Sequence, residues 1–176
     1  MIRFSMFFSL TGTCFSPPEC QSKTGGFADG SCADGFGTCC VILLSECGGS
    51  IGENSTHFSS PDYPKVYQTA ATCTYTLNKV DIEICFIRLE FINFVIDGPV
   101  SNTSPPNQNW DCVNDNVINE LCPADTYSLY SQLVFTTPVS KAPPTICGYN
   151  TEQHLYMDAT AGLDESSKMV LTTTGK

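Results

Sequence analysis

Basic residues are scarce in this 176-residue chain: eight Lys or Arg stand against eighteen Asp or Glu, for a formal net charge of −10. A surface of that sign repels phosphate backbones, which excludes nucleic-acid binding through a basic face. Histidine is limited to His57 and His154. No His-Glu-x-x-His occurs, so a zinc peptidase centre is absent. The string Cys47-Gly-Gly-Ser-Ile51 resembles a strand of trypsin-like proteases, but neither Ala-Ala-His-Cys nor Gly-Asp-Ser-Gly is present to carry a catalytic triad. No apolar run approaches the roughly 18 residues of a membrane-spanning helix. Nor does any segment hold the 3.6-residue rhythm of an amphipathic helix. A hydrophobic share of 41% with eleven Phe and seven Tyr argues equally against global disorder.

Cysteine, by contrast, is in excess. Eleven in 176 residues mark a disulfide-stapled domain of an oxidising compartment. Because eleven is odd, at least one thiol has no partner within the chain. Cys14, Cys20, Cys32, Cys39 and Cys40 crowd into one Gly-rich block with little apolar periodicity, so bridges rather than a core are expected to hold it. Adjacent residues rarely reach disulfide geometry, so Cys39 and Cys40 are expected to seek different partners and to tie this small module to the domain C-terminal to it. A structural zinc site is disfavoured, since no Cys-x-x-Cys pair is present and both histidines lie far off.

The N-terminus places Arg3 ahead of a short apolar run without a small-x-small cleavage site, which reads either as the remnant of a secretory signal, residues 1–13, or as a truncated start. Asn54 and Asn102 head Asn-x-Ser/Thr triplets in polar stretches and are candidate glycosylation sites. From Cys47 the pattern becomes strands and turns. Cys73, Tyr75 and Leu77 alternate with Thr72, Thr74 and Thr76, and Ile87, Leu89 and Phe91 alternate with Arg88 and Glu90. This is the period-two signature of half-buried strands. Asp97-Gly98-Pro99 ends the second of them. Tyr127 to Leu129, Leu133 to Phe135, Leu155 to Met157 and Met169 to Leu171 are further candidates, and together they indicate an all-β antiparallel sandwich.

Cys47-Gly48-Gly49, then Ser60-Pro61-x-Tyr63-Pro64, then Cys73-x-Tyr75-x-Leu77 resemble the opening of a CUB domain. Ile87-x-Leu89-x-Phe91-x-x-Phe94, the Cys122-x-x-Asp125 strand and Cys147-Gly148 resemble its later elements. The block before Cys47 and the segment Cys147-Gly-Tyr-Asn-Thr-Glu-Gln-His-Leu-Tyr156 are similar to those of secreted arthropod CUB proteins with a cysteine-rich leader. The resemblance implies a leader module at 14–46 and a CUB-like jelly roll at 47–176. It pairs Cys47 with Cys73 and Cys122 with Cys147, and leaves Cys85 and Cys112, additional to the family plan, to pair with each other. Related chains carry one more strand after the Thr-rich one, leading to a further cysteine, so the domain is expected to be truncated just before it.

Many CUB domains hold calcium at one end of the sandwich and through it grip a basic side chain of a partner. Matched residue by residue, the resemblance implies Tyr67, Asp97, Asp125 and Asp158 as ligands, with Asp97 standing where the family has Glu and Asp115 a rival for the Asp125 role. Calcium takes hard oxygen ligands from several loops, which this acidic chain could supply. The plainer reading makes Asp97 a turn residue before Gly-Pro and Asp125 and Asp158 solvated loop acids. The expectation is a secreted, non-enzymatic module that binds an extracellular protein or glycan through a Lys or Arg side chain, with calcium as its cofactor. The alternative is the accessory region of a larger extracellular protease.

Overall fold

The computed structural model describes residues 10–98, 131–138 and 142–175. Cys112, Cys122, Asn102, Asp115, Asp125 and the strand expected at Tyr127 lie outside them. Among the described residues the architecture is all-β, with one short α-helix and a single 3-10 turn, Ala33–Gly35, in the leader.

In the leader, β1 (Thr13–Phe15), α1 (Pro17–Ser22), β2 (Gly26–Cys32) and β3 (Gly37–Leu44) succeed one another. Pro17 and Pro18 open α1, where their missing N–H groups cost no helical bond. β3 is the central strand: β2 takes one edge, while β1 takes the first half of the other. Disulfides Cys14–Cys32 and Cys20–Cys40 clamp the sheet. Gly37 is required beside the first of these bridges, because a Cβ there would stand 2.7 Å from the Cys14 sulfur and 2.9 Å from that of Cys32. Cys40 is buried and bonded within the leader, and Cys39, half-buried, is a free thiol. The expectation that this pair ties the leader to the sandwich is therefore corrected. Adjacent strand residues point to opposite faces, and only Cys40 faces α1 and its Cys20.

The leader is joined to the rest by backbone pairing instead. β4 (Gly49–Ile51) leads through an exposed turn at Asn54 to β5 (Thr56–Phe58), which pairs in parallel with residues Ile42 to Leu44 of β3. A Lys23–Glu53 ion pair of 2.6 Å and a 2.7 Å hydrogen bond between His57 Nε2 and the Thr11 carbonyl span the same junction.

The sandwich proper has β4, β6 (Ala70–Leu77), β10 (Ser167–Thr174) and β8 (Gln132–Thr136) side by side in one sheet, and β7 (Phe86–Phe91) with β9 (Gln153–Asp158) in the other. β6 and β10 pair antiparallel along their whole length, from Ser167 opposite Leu77 to Thr174 opposite Ala70. This register puts Cys73, Tyr75 and Leu77 on one face with Met169 and Leu171, and leaves the threonines largely outward. Leu89, Phe91 and Met157 meet them from the opposite sheet, with Phe94, Ile96, Leu133, Phe135 and Ile146 completing one continuous core. Cys47–Cys73 anchors the start of the sandwich to β6, and Cys147 is also disulfide-bonded.

Cys85 departs from expectation. It is an exposed free thiol, so its assignment to a bridge with Cys112 is corrected. It stands one residue before β7, its backbone carbonyl accepts the Ala159 N–H at 2.8 Å, and its sulfur's contact is the carbonyl of Glu83 at 3.5 Å.

Candidate functional site

One end of the sandwich is built where four chain segments converge. After β7 the chain bends at Ile92 and Asn93, then pairs again, Val95 opposite Tyr149 and the Ile96 N–H on the Gly148 carbonyl. That places Asp97 past the core residue Ile96, exposed, with its carbonyl accepting the Ser131 N–H at 3.1 Å. The Ser131 hydroxyl in turn accepts the Thr174 N–H at 3.3 Å, and Thr174 lies opposite Ala70. A Cβ on Gly175, whose φ is +76, would stand 3.2 Å from the Gln68 carbonyl, so the segment carrying Tyr67 enters β6 at this same end. The polypeptide between Gly98 and Ser131, which carries Asp115 and Asp125, therefore leaves and returns here.

Tyr67 is half-buried and lies close to Tyr75. Burial holds the Tyr75 phenol above its ordinary pKa of 10.0, a hydrogen bond from the Gly48 backbone opposes this, and the Tyr67 phenol reinforces it. The Tyr75 hydroxyl donates to the Glu46 carbonyl at 3.0 Å, which ties the core to the residue before Cys47.

Asp158 stands elsewhere. It ends β9 opposite Phe86, the first residue of β7, whereas Asp97 lies beyond the last residue, Phe91. The five steps from Phe86 to Phe91 alone span about 17 Å at about 3.3 Å per residue. Calcium holds its oxygens at about 2.3–2.6 Å, so Asp97 and Asp158 do not serve one ion. The four-residue ligand set is corrected on that ground. Asp158 instead shapes a turn: its Oδ1 accepts the Thr160 N–H at 2.8 Å and the Thr160 hydroxyl at 2.6 Å. Beside it, buried Lys79 donates its ammonium to the Ala159 carbonyl at 2.8 Å, with the Ile82 and Ile84 carbonyls at 3.4 and 3.5 Å. A cation satisfied by carbonyls secures the loop before β7 and avoids the cost of an unpaired buried charge. Among the described residues no group of three His, Cys, Asp or Glu side chains gathers as a metal site.

The histidines occupy structural positions. His57 is engaged with Thr11, and His154 faces Glu90 across the β7–β9 ladder, edge-on to Tyr156 at 5.7 Å. Neither the Lys79 anchor nor the convergence of Gln68, Asp97, Ser131 and Thr174 is signalled by a motif. The first looks like any loop lysine, and the second depends on strand register.

Residues 47–117 match the family model of the CUB domain. The chain carries a CUB domain. No curated protein and no solved structure matches the chain. CUB domains are non-catalytic binding modules of extracellular type, and the disulfides of this one accord with that setting. Among the described residues no helix is long and apolar enough to cross a membrane.

Proposed function

We propose that this chain is a secreted, non-enzymatic recognition module whose CUB domain binds a basic side chain of an extracellular protein at the Asp97 end of the sandwich. The observation that supports this reading is the meeting of Asp97, the Tyr67 segment and the two ends of the 99–130 connection, on a chain of net charge −10. Loops carried on a rigid sandwich can vary without disturbing the core, which suits them to recognition. An acidic surface raises the rate of encounter with a cationic partner. The calcium-dependent form of the proposal keeps Tyr67, Asp97 and Asp125 and drops Asp158. Asn54, exposed in the turn before β5, is a sugar attachment point away from that end.

Binding of the chain to immobilised poly-lysine, with heparin as the acidic glycan control, tests the assignment. Asp97→Asn is expected to weaken poly-lysine binding severalfold, while Asp164→Asn, at an exposed acid elsewhere, leaves it within about twofold, since a single exposed charge pair is worth roughly 0–1 kcal/mol. Equal weakening by the two variants, or preference for heparin, overturns the site. Repeating the measurement in calcium and in chelator decides the calcium form: identical binding removes it.

A further inference from the structure

The face of the leader sheet turned away from α1 carries three sulfurs. Cys39 stands opposite Cys14 in the β1–β3 pairing, and Cys32 stands opposite Gly37 in the β2–β3 pairing. Directly opposed residues of an antiparallel pair project to the same face, and so do residues two apart along a strand, which puts Cys14, Cys32 and Cys39 together. Cys20 and Cys40 bond on the other face. Two glycines leave room for the cluster: a Cβ on Gly37 would meet the Cys14 and Cys32 sulfurs, and one on Gly12 would stand 2.8 Å from the Cys39 sulfur. The Cys14–Cys32 bridge thus has a free thiol at the strand position facing one of its two sulfurs.

We propose that Cys39 exchanges with this bridge, so that the leader has two disulfide isomers. The Cys39 thiolate attacks the Cys14 sulfur: the Cys14–Cys39 bond forms, the Cys14–Cys32 bond breaks, and Cys32 leaves as a thiolate that takes up the proton Cys39 gave up. One disulfide and one thiol stand on each side, so no oxidant or reductant is consumed. Register selects Cys14 as the point of attack. Cα atoms of directly opposed residues are about 4.5 or about 5.5 Å apart, depending on hydrogen bonding, and both values fall within the about 4.4–6.8 Å that a bridge spans. Cys32 is diagonal to Cys39, at about 7–8 Å, beyond that reach. A turn about the Cys39 Cα–Cβ bond carries its sulfur from Gly12 toward Cys14. The exchange changes what the bridge holds: Cys14–Cys32 ties β1 to β2 across the central strand, whereas Cys14–Cys39 ties β1 to β3 and leaves β2, with its bulge between Ala28 and Ser31, without a covalent tie. The leader therefore contains a thiol-operated release of β2.

The test uses the full chain carrying Cys85→Ser, which removes the exposed thiol. It is equilibrated in neutral buffer, quenched in acid, unfolded and capped with N-ethylmaleimide, and the capped cysteines are read by peptide mass spectrometry. Cys32 is expected to carry at least about a tenth as much label as Cys39, and Cys14 none, because it is bonded in both isomers. A lower share on Cys32 overturns the proposal, as does label on Cys14, which would show attack at the other sulfur. So does a Cys32 share that falls on dilution, which identifies exchange between copies. Two further variants, each lacking one end of the same bridge, separate register from stability. Cys32→Ser is expected to form the Cys14–Cys39 bridge in nearly every molecule, whereas Cys14→Ser leaves Cys32 and Cys39 both capped. Capping of both Cys14 and Cys39 in the first, or a Cys32–Cys39 bridge in the second, overturns the assignment. Amide hydrogen exchange over residues 26–32 is expected to be at least about tenfold faster in Cys32→Ser than in Cys39→Ser, which is locked in the first isomer. Equal exchange overturns the release of β2.

Discussion

The leader buries little beyond Cys20, Cys40, Ile42 and Val41 and closes its sheet with two disulfides, whereas the sandwich gathers a continuous core from both of its sheets. The two regions also differ in how their strands are joined. β6 and β10 share eight paired positions in unbroken register, while β2 and β3 are interrupted by a bulge between Ala28 and Ser31, at Gly30 with φ 89°. A block with few apolar side chains cannot offset the entropy of ordering its backbone by burial alone, so cross-links that restrict the unfolded chain take over that role. Where Cys, Tyr, Leu and Met alternate on long paired strands, packing suffices to define the register.

This contrast can be broken from the sandwich side first. Met157→Ala removes a fully buried side chain at the centre of the core and is expected to cost about 2–5 kcal/mol, read as a lowered denaturant midpoint. A loss well below that would show the core to be looser than its burial indicates. Next, Cys20→Ala with Cys40→Ala is expected to cost about 3 kcal/mol, confined to the leader. Hydrogen exchange should accelerate over residues 26–44 and stay slow over 70–77. Equal acceleration in both would mean that the β3–β5 pairing makes them one cooperative unit.

Two smaller effects sharpen the junction between the regions. Burial raises the Tyr75 pKa in the folded state, so above pH 10 the unfolded chain gives up its proton while the folded one keeps it, and stability falls as pH rises. Tyr75→Phe should flatten that alkaline slope while losing the bond to Glu46 that anchors the end of the leader, costing about 1 kcal/mol at neutral pH. An unchanged slope would move the alkaline sensitivity to another group. Lys23→Ala removes the ion pair to Glu53, with both side chains partly exposed, and is expected to cost less than about 1 kcal/mol and only at low salt. A larger loss would show that Lys23 matters more through its position 5.2 Å over the Phe15 ring.

Much of the sandwich was legible because a strand with one buried face writes its period into the chain. Tyr75 and Leu77, Leu89 and Phe91, Leu133 and Phe135 are buried as their alternation indicates. The candidate site was legible only in part. Family likeness led to Tyr67 and Asp97 at one end but carried Asp158 to the other, because a likeness in order along the chain does not state which end of a strand a residue occupies. Cys85 misled for a similar reason: standing with Cys112 outside the family plan suggested a pair, yet a bridge needs side chains that face one another, and Cys85 is a free, exposed thiol.

By itself, then, the sequence determined the chemistry of this protein: its acidity, its dependence on disulfides in the leader, the all-β class and the CUB likeness, since these stem from residue types and their spacing. Tertiary structure alone decided that the leader docks through β5, that Lys79 is satisfied by backbone carbonyls, and that Asp97 and Asp158 stand apart. Each of those depends on which distant edges and ends the register brings side by side, and contacts of that kind leave no local mark in the chain.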